Sequence, residues 1–304
     1  FKRQLAQDEK IELLETLELA ATLKREHHEG RLRTPLRGKV LGLVFHKPSL
    51  RTRVSFESGM ARLGGTAIYI SNAEIGMGTR ESVGDIAQVL SRYVDAIMIR
   101  TFSHRWVEEL AAKAAVPVIN GLTDDYHPCQ IAADLLTVQE NLGPLEGKHI
   151  VFVGDGNNVA KSWINAARRL PIRFTLSCPP GFEPDAAFLE AARHDAEDRV
   201  RIEHDPHRAV QGADVVYTDV WASMGQESEA EARKAKFRPY QVNEALVAGM
   251  HPSGIVLHCL PAHRGEEITD GVVDGPRSRV FDEAENRMHA QNALLVRLLA
   301  EGWR

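Results

Sequence analysis

The chain has 304 residues, of which 43% are hydrophobic and 26% charged, the balance of a globular protein long enough for two α/β domains of ordinary size. A formal net charge of -5 gives no electrostatic case for nucleic acid or an anionic membrane, so any basic patch must be local. Three cysteines, Cys129, Cys178 and Cys259, stand far apart without a CxxC pair, which argues against a structural zinc site or a disulfide framework and fits a reducing cytosol. No apolar run reaches membrane-spanning length and no leader pattern is visible, so a cytoplasmic location is expected. The sequence opens on Phe1, and a few residues are expected to precede it.

The first predicted element is a helix from about Asp8 to Glu29, with apolar positions at Ile11, Leu14, Leu17 and Ala21. Short apolar runs then alternate with longer amphipathic segments. The runs Val40–Phe45, Ala67–Ile70, Ala96–Ile99 and Pro117–Ile119 read as one set of strands. A second set follows at His149–Val153, Arg173–Ser177, Val200–His204, Val215–Thr218 and Ile255–His258. Helices are predicted between them at Val54–Leu63, Ser82–Arg92, Arg105–Ala115, Ile131–Asn141, Val159–Leu170 and Asp185–Asp195. A last helix, about Glu283 to Ala300, carries a stripe of Met288, Leu294, Leu295, Leu298 and Leu299 and is long enough to pack back on the first domain. Such alternation predicts an α/β fold of two doubly wound parallel-sheet domains. The break at Asn141-Leu142-Gly143-Pro144-Leu145-Glu146-Gly147 divides them into residues 1–145, joined by 283–304, and residues 146–282. No internal repeat or low-complexity tract is present.

In open parallel sheets ligands bind beyond the carboxyl ends of the strands. Polar clusters follow six of the predicted strands, in both halves, which predicts one cleft between two domains. Ser49-Leu50-Arg51-Thr52-Arg53 follows a strand and opens a helix. Free N–H groups at a helix start, two hydroxyls and a forked guanidinium together suit a phosphate. The plainer alternative is a Ser N-cap followed by two solvated arginines. Arg100 ends a buried strand, where it serves either a structural ion pair or a substrate. His127-Pro128-Cys129-Gln130 sets a His and a Gln one turn apart at a helix start, where both can face one small polar group; Cys129 there also reads as a small buried residue.

Gly154-Asp155-Gly156-Asn157-Asn158 matches a dinucleotide loop only in part. Its glycine spacing is incomplete, and the next strand ends Ser177-Cys178-Pro179 with no acid for a ribose. Asn158 turned toward the ligand is the better use of this turn, and a non-catalytic dinucleotide-binding module stays open as the alternative. Asp219, at another strand end, can hold an ammonium or cap the turn through Ser223, Met224 and Gly225. Cys259, in His258-Cys259-Leu260-Pro261, would need a base to act as a nucleophile, and the adjacent His258 should point the other way along a strand. Arg287 lies one turn into the last helix, behind acids that suit the helix start.

The stretch from Phe45 through Ser49-Leu50-Arg51-Thr52-Arg53 to Glu57 resembles the carbamoyl phosphate motif of the aspartate/ornithine carbamoyltransferase family. His127-Pro128-Cys129-Gln130 resembles that family's second motif. Asp219 through Gly225, His258-Cys259-Leu260-Pro261 and Asp282-Glu283-Ala284-Glu285-Asn286-Arg287 resemble marks of its ornithine branch. The resemblance covers nearly the whole chain in order. It implies that residues 1–145 bind carbamoyl phosphate and residues 146–282 bind ornithine. Ser49, Arg51, Thr52 and the Leu50 backbone would hold the phosphate, and Arg100 would bridge phosphate and carbonyl. His127 and Gln130, with Pro128 and Cys129 in the same loop, would hold the carbamoyl group. Asn158, Asp219, Ser223 and Met224 would bind ornithine, with Asp219 on the α-ammonium. Cys259 and Leu260 would lie beside the reacting amine, and Arg287 would polarise the carbonyl. The implied reaction gives L-citrulline and phosphate without metal or organic cofactor, in a homotrimer or a multiple of it, with putrescine or N-acetylornithine as alternative acceptors. Two positions depart from the family pattern: Leu50 stands where Thr is common, and Gly76 where many relatives place a Gln that reaches a neighbouring subunit.

Overall fold

The computed structural model describes residues 7–222, 229–300 and 302. Contacts divide the chain into two units, one comprising residues up to Leu136 together with those from Glu285, the other Thr137–Ala284. Both are built on wholly parallel sheets, as the alternation of strand and helix runs predicts.

In the first unit, α1 (Gln7–His28) precedes β1 (Val40–Phe45), α2 (Leu50–Arg62) and β2 (Thr66–Ser71). After α3 (Asn72–Ile75) and α4 (Val83–Leu90) come β3 (Ala96–Arg100), α5 (His104–Lys113) and β4 (Val118–Leu122). Then α6 (Pro128–Leu142) leads out of the unit, while α13 (Val280–Leu299) leads back into it. The sheet order is β2-β1-β3-β4. Val44, Ile97, Ile99 and Val118 from the sheet meet Val83, Ile86, Val107 and Leu110 from α4 and α5 in one buried cluster. Strand order reverses at β1 and β3, so the loops after Phe45 and Arg100 flank the topological switch point where such sheets bind ligands.

In the second unit, β5 (His149–Val153), α7 (Asn158–Arg169), β6 (Arg173–Ser177), α8 (Ala186–Ala196) and β7 (Val200–Ile202) form one half. The other half has α9 (Pro206–Ala209), β8 (Val215–Thr218), α10 (Ala230–Phe237), α11 (Glu244–Val247), β9 (Ile255–His258) and α12 (Asp270–Val273). The order β7-β6-β5-β8-β9 puts the switch point between β5 and β8, where Gly154–Asn158 and Asp219 follow the strands. Val151, Val153, Val216 and Val256 pack against Val242, Leu246 and Val272 on one face of this sheet.

The four-residue helices α3, α9, α11 and α12 lie below the window in which helical periodicity shows, and the sequence did not predict them. The start of α2 differs in a way that matters. It begins at Leu50 rather than Val54, because Ser49 adopts extended backbone (φ -162, ψ 113) and its hydroxyl oxygen accepts from the Thr52 amide. Arg51 and Thr52 are therefore in the first helical turn. Among the described residues no helix is long and apolar enough to cross a membrane.

Candidate active site

The first unit gathers its site around the start of α2. Its first turn contains no acid, so the unpaired amides and the helix dipole face outward without a built-in anion. Leu50 is 75% exposed, which leaves only its amide as a polar contribution. Thr52 is fully buried, and three potential donors surround its Oγ1: Ser49 Oγ at 3.1 Å, Arg287 Nη2 at 3.2 Å and Arg100 Nη1 at 3.5 Å. These donors turn the Thr52 hydroxyl into a hub that ties Ser49, Arg100 and Arg287 to the first turn of α2. Arg53 turns away: its Nε bonds Glu57 at 2.9 Å and its guanidinium stacks on the Tyr69 ring. Lys47 is buried against Asp124 and the Phe102 ring, so it anchors the loop after β1.

Arg100 reaches this place from the last residue of β3, beside Phe45 of β1. Arg287 reaches it from α13, and that helix is held very close to α2. A Cβ on Gly59 of α2 would lie 2.2 Å from Asn292 Oδ1 of α13, so a larger residue there would displace the Asn292 side chain. Arg287 is buried, ion-pairs with no carboxylate among the described residues, and leaves Nε without a hydrogen-bond partner. A buried guanidinium in that state has hydrogen-bonding capacity left for an anionic or carbonyl ligand.

Arg287 Nη1 also donates to Gln130 Oε1, and Gln130 Nε2 donates to buried Asp134 Oδ1 at 2.6 Å. The carboxylate thus decides which way the Gln130 amide faces. His127 stands at the start of α6, where its carbonyl accepts from the Gln130 amide at 3.1 Å. Burial, and then the charges of Arg287 and Arg100, hold the imidazole pKa well below its ordinary value, so His127 is neutral at physiological pH. Pro128 opens the helix, where its missing N–H costs nothing. Cys129 faces away: its thiol donates to the Asn120 carbonyl at 3.5 Å, and burial raises its pKa to about 11.

The second unit carries a cluster of opposite character. Asp219 follows β8, and its carboxylate is almost fully buried. Oδ2 accepts from Asn157 Nδ2 at 2.8 Å, and Oδ1 accepts from the Val220 amide at 2.8 Å and from the Cys259 thiol at 3.1 Å. Asn157 also caps α7, its Oδ1 accepting from the Val159 and Ala160 amides. Asn158 is the first residue of that helix, half-buried beside this cap. Both nitrogens of His258 are engaged, Nε2 with Glu267 Oε1 at 3.0 Å and Nδ1 with the Leu260 amide at 2.9 Å. Neither remains to take a proton from Cys259, and that thiol faces a carboxylate, so a thiolate nucleophile is not prepared here. Leu260 sits at φ +55, a conformation unusual for a residue with a Cβ. Ser223 and Met224 lie outside the described residues.

Five supporting residues escaped the sequence reading. Asn157, rather than Asn158, joins the helix cap to Asp219. Asp134 backs Gln130, and its signal was a lone acid in the apolar run Ile131–Leu136. Arg233 of α10 is buried with Asp155 and donates to the Trp221 carbonyl, which fixes the segment after Asp219. Asp155 nevertheless has a raised pKa, because burial outweighs the Arg233 charge. Lys47 and Asp124 are too far apart in sequence to pair on paper. The dinucleotide reading loses its structural basis as well. A Cβ on Gly156 would fall 2.5 Å from the Phe182 carbonyl oxygen, whose bond to the Gly156 amide lays the 182–184 segment across the loop.

Two parallel-sheet units, one presenting buried guanidiniums at a helix start and the other a held carboxylate, define an α/β protein built to bind an anion and an amine. The comparisons are more specific. The family model for the carbamoyl-P binding domain of aspartate/ornithine carbamoyltransferase matches residues 3–140, and that for its Asp/Orn binding domain matches residues 146–298. An ornithine carbamoyltransferase of Syntrophus aciditrophicus is 57% identical over 282 residues, covering 93% of each chain. The Pseudomonas aeruginosa ornithine carbamoyltransferase named anabolic is 51% identical over 288 residues, 95% of this chain and 93% of its own. The ornithine carbamoyltransferase structure from Pyrococcus furiosus superposes with a TM-score of 0.93 at 49% identity, covering 98% of this chain and 96% of that one. The chain belongs to the aspartate/ornithine carbamoyltransferase family.

Proposed function

We propose that this protein transfers the carbamoyl group of carbamoyl phosphate to the δ-amine of L-ornithine, giving L-citrulline and phosphate. The observation that carries the reading is Arg287, a buried guanidinium without a carboxylate partner among the described residues, aimed with Arg100 at Thr52 in the first turn of α2. The amides of that turn, Ser49, Arg51 and Thr52 take the phosphate oxygens. Arg100 spans phosphate and carbonyl. Neutral His127 and the Gln130 amide suit the carbamoyl carbonyl and amide, which carry no charge in the ground state.

The deprotonated δ-amine attacks the carbonyl carbon, a C–N bond forms, the C–O bond to phosphate breaks, and the amine proton leaves to phosphate or water. Negative charge grows first on the carbonyl oxygen and then on the departing phosphate. Arg51, Arg100 and Arg287 stabilise it in this reading, so the step needs positioning and charge stabilisation rather than a covalent enzyme intermediate. Asp219 takes the α-ammonium of ornithine, and Cys259 orients and desolvates the amine. A free α-ammonium on Asp219 favours ornithine over N-acetylornithine, which lacks it, and Ser223-Met224-Gly225 after Asp219 favour ornithine over putrescine.

The biosynthetic direction, toward arginine, is supported by the anabolic name of the Pseudomonas aeruginosa relative. A cytoplasmic homotrimer is proposed from the family resemblance, and light scattering on the purified chain tests that assembly. Steady-state assays with carbamoyl phosphate and each of ornithine, N-acetylornithine and putrescine test the reaction. Citrulline formation with ornithine is expected; no ureido product, or a preference for either other amine, overturns the assignment.

A further inference from the structure

We infer that His28, Glu285 and His289 form a binding site for a divalent transition-metal ion of zinc type. Glu285 and His289 are four apart on α13 and so share a face. That face meets the carboxyl end of α1. The Nε2 atoms of His28 and His289 lie 2.7 and 3.2 Å from the same oxygen, Glu285 Oε1. One donor atom from each of the three residues falls within 4.8 Å of the others. A tetrahedral zinc ion with ligands at about 2.0–2.2 Å needs donor atoms roughly 3.3 Å apart, so small side-chain rotations open the set around an ion.

The chemistry of the set is selective. Two imidazoles and one carboxylate suit zinc, cobalt or nickel and are a poor match for magnesium or calcium, which take oxygen ligands. Exposure is graded from the helix interface outward: His289 is 0% exposed, Glu285 39% and His28 54%. One ligand is therefore fixed by packing, while the other two are open to arriving metal and leave its outer positions to water. The carboxyl end of α1, whose last turn holds Arg25, His27 and His28, also favours a cation through the helix dipole.

Nearby cations oppose the ion, and each has another acceptor. Lys24 Nζ donates to Asn286 Oδ1 at 2.9 Å, and the Arg62 guanidinium is 2.6 Å from His27 Nε2. The His27 ring packs 5.8 Å from that of His28 and 5.7 Å from that of His289, crowding the set while its own nitrogens face Arg62. The three ligands take no part in the proposed transfer. Arg287, two positions from both Glu285 and His289, makes its contacts from the other side of α13. A bound ion would tie α1 to the helix that carries Arg287.

Calorimetric titration of zinc chloride into the metal-stripped full chain tests the inference, with His28→Ala and Glu285→Gln as variants at solvent-accessible positions and Cys259→Ser as a control. The wild type and Cys259→Ser are expected to bind one zinc ion alike, while both ligand variants weaken it at least tenfold. Zinc is also expected to raise the melting temperature of the wild type and not that of His28→Ala. Cobalt(II) in the same site should give visible bands without thiolate charge transfer. Equal affinity in His28→Ala and wild type, loss of binding in Cys259→Ser alone, or no uptake of zinc by the wild type overturns the site.

Discussion

The two units use one architectural solution for opposite electrostatic ends. Each has a parallel sheet with a switch point, a strand leading into a side-chain-capped helix start, and a charged residue delivered by the neighbouring strand. At α2 the cap is a serine, the first turn lacks acids and the delivered charge is Arg100, so the place attracts an anion. At α7 the cap is Asn157, its amide is turned to Asp219, and the place attracts an ammonium. Topology chooses where a ligand sits; the few side chains there choose its charge.

The largest test of this contrast removes a cation. Arg287→Met is expected to lower kcat by about 10²- to 10³-fold, the usual cost of losing a preorganised charge donor, with a circular-dichroism melt close to wild type. Arg100→Met should behave alike. Wild-type turnover in either would break the contrast. Asp219→Asn tests the opposite end: the ornithine KM should rise about 10- to 100-fold while the carbamoyl phosphate KM stays put, because only one charged contact is lost. Initial rates with each substrate varied in turn separate the two.

Asp134→Asn sharpens the comparison, since it touches neither ligand. The substituted amide no longer dictates how Gln130 faces Arg287, and kcat should fall roughly tenfold with little change in the ornithine KM. A change confined to thermal stability would mean that Asp134 only supports packing. The smallest effect concerns pH. Burial and Arg173 lower the pKa of His149, at the start of β5, to about 4 from an ordinary 6.5. The unfolded chain therefore takes up this proton first. Folding stability carries no contribution from His149 above pH 6.5, declines as pH falls below it and levels off below about 4. Melting curves across that range should show the decline, and His149→Gln should flatten it.

Much of the fold was legible because strand cores such as Val40–Phe45 and His149–Val153 are short apolar runs with polar residues at one end. Ser49, Arg100 and Asp219 were readable for the same reason, as costly residues at strand ends. What escaped depends on contacts across sequence distance. Nothing local distinguishes Asn157 from Asn158 until the chain closes β8 beside β5. Arg233 reads as one more charge on a surface helix until it meets Asp155. The early start of α2 was legible through Ser49 but lost to the hydrophobic period, which begins only at Val54 because exposed Leu50 and buried Thr52 invert it.

The hydrogen bond from Arg287 to Thr52 spans 235 positions. During synthesis the helix start at Ser49 emerges early and the guanidinium that completes its pocket emerges near the end. A nascent chain can fold the first parallel sheet and still lack a finished anion pocket, since the closing piece has yet to leave the ribosome. The long loop that joins the two makes this a late and entropically costly closure. Competence to bind a reactive phosphate thereby waits for the synthesis of Arg287, and a polypeptide cut short before Glu285 holds neither the arginine nor the helix contact at Gly59 that would seat it.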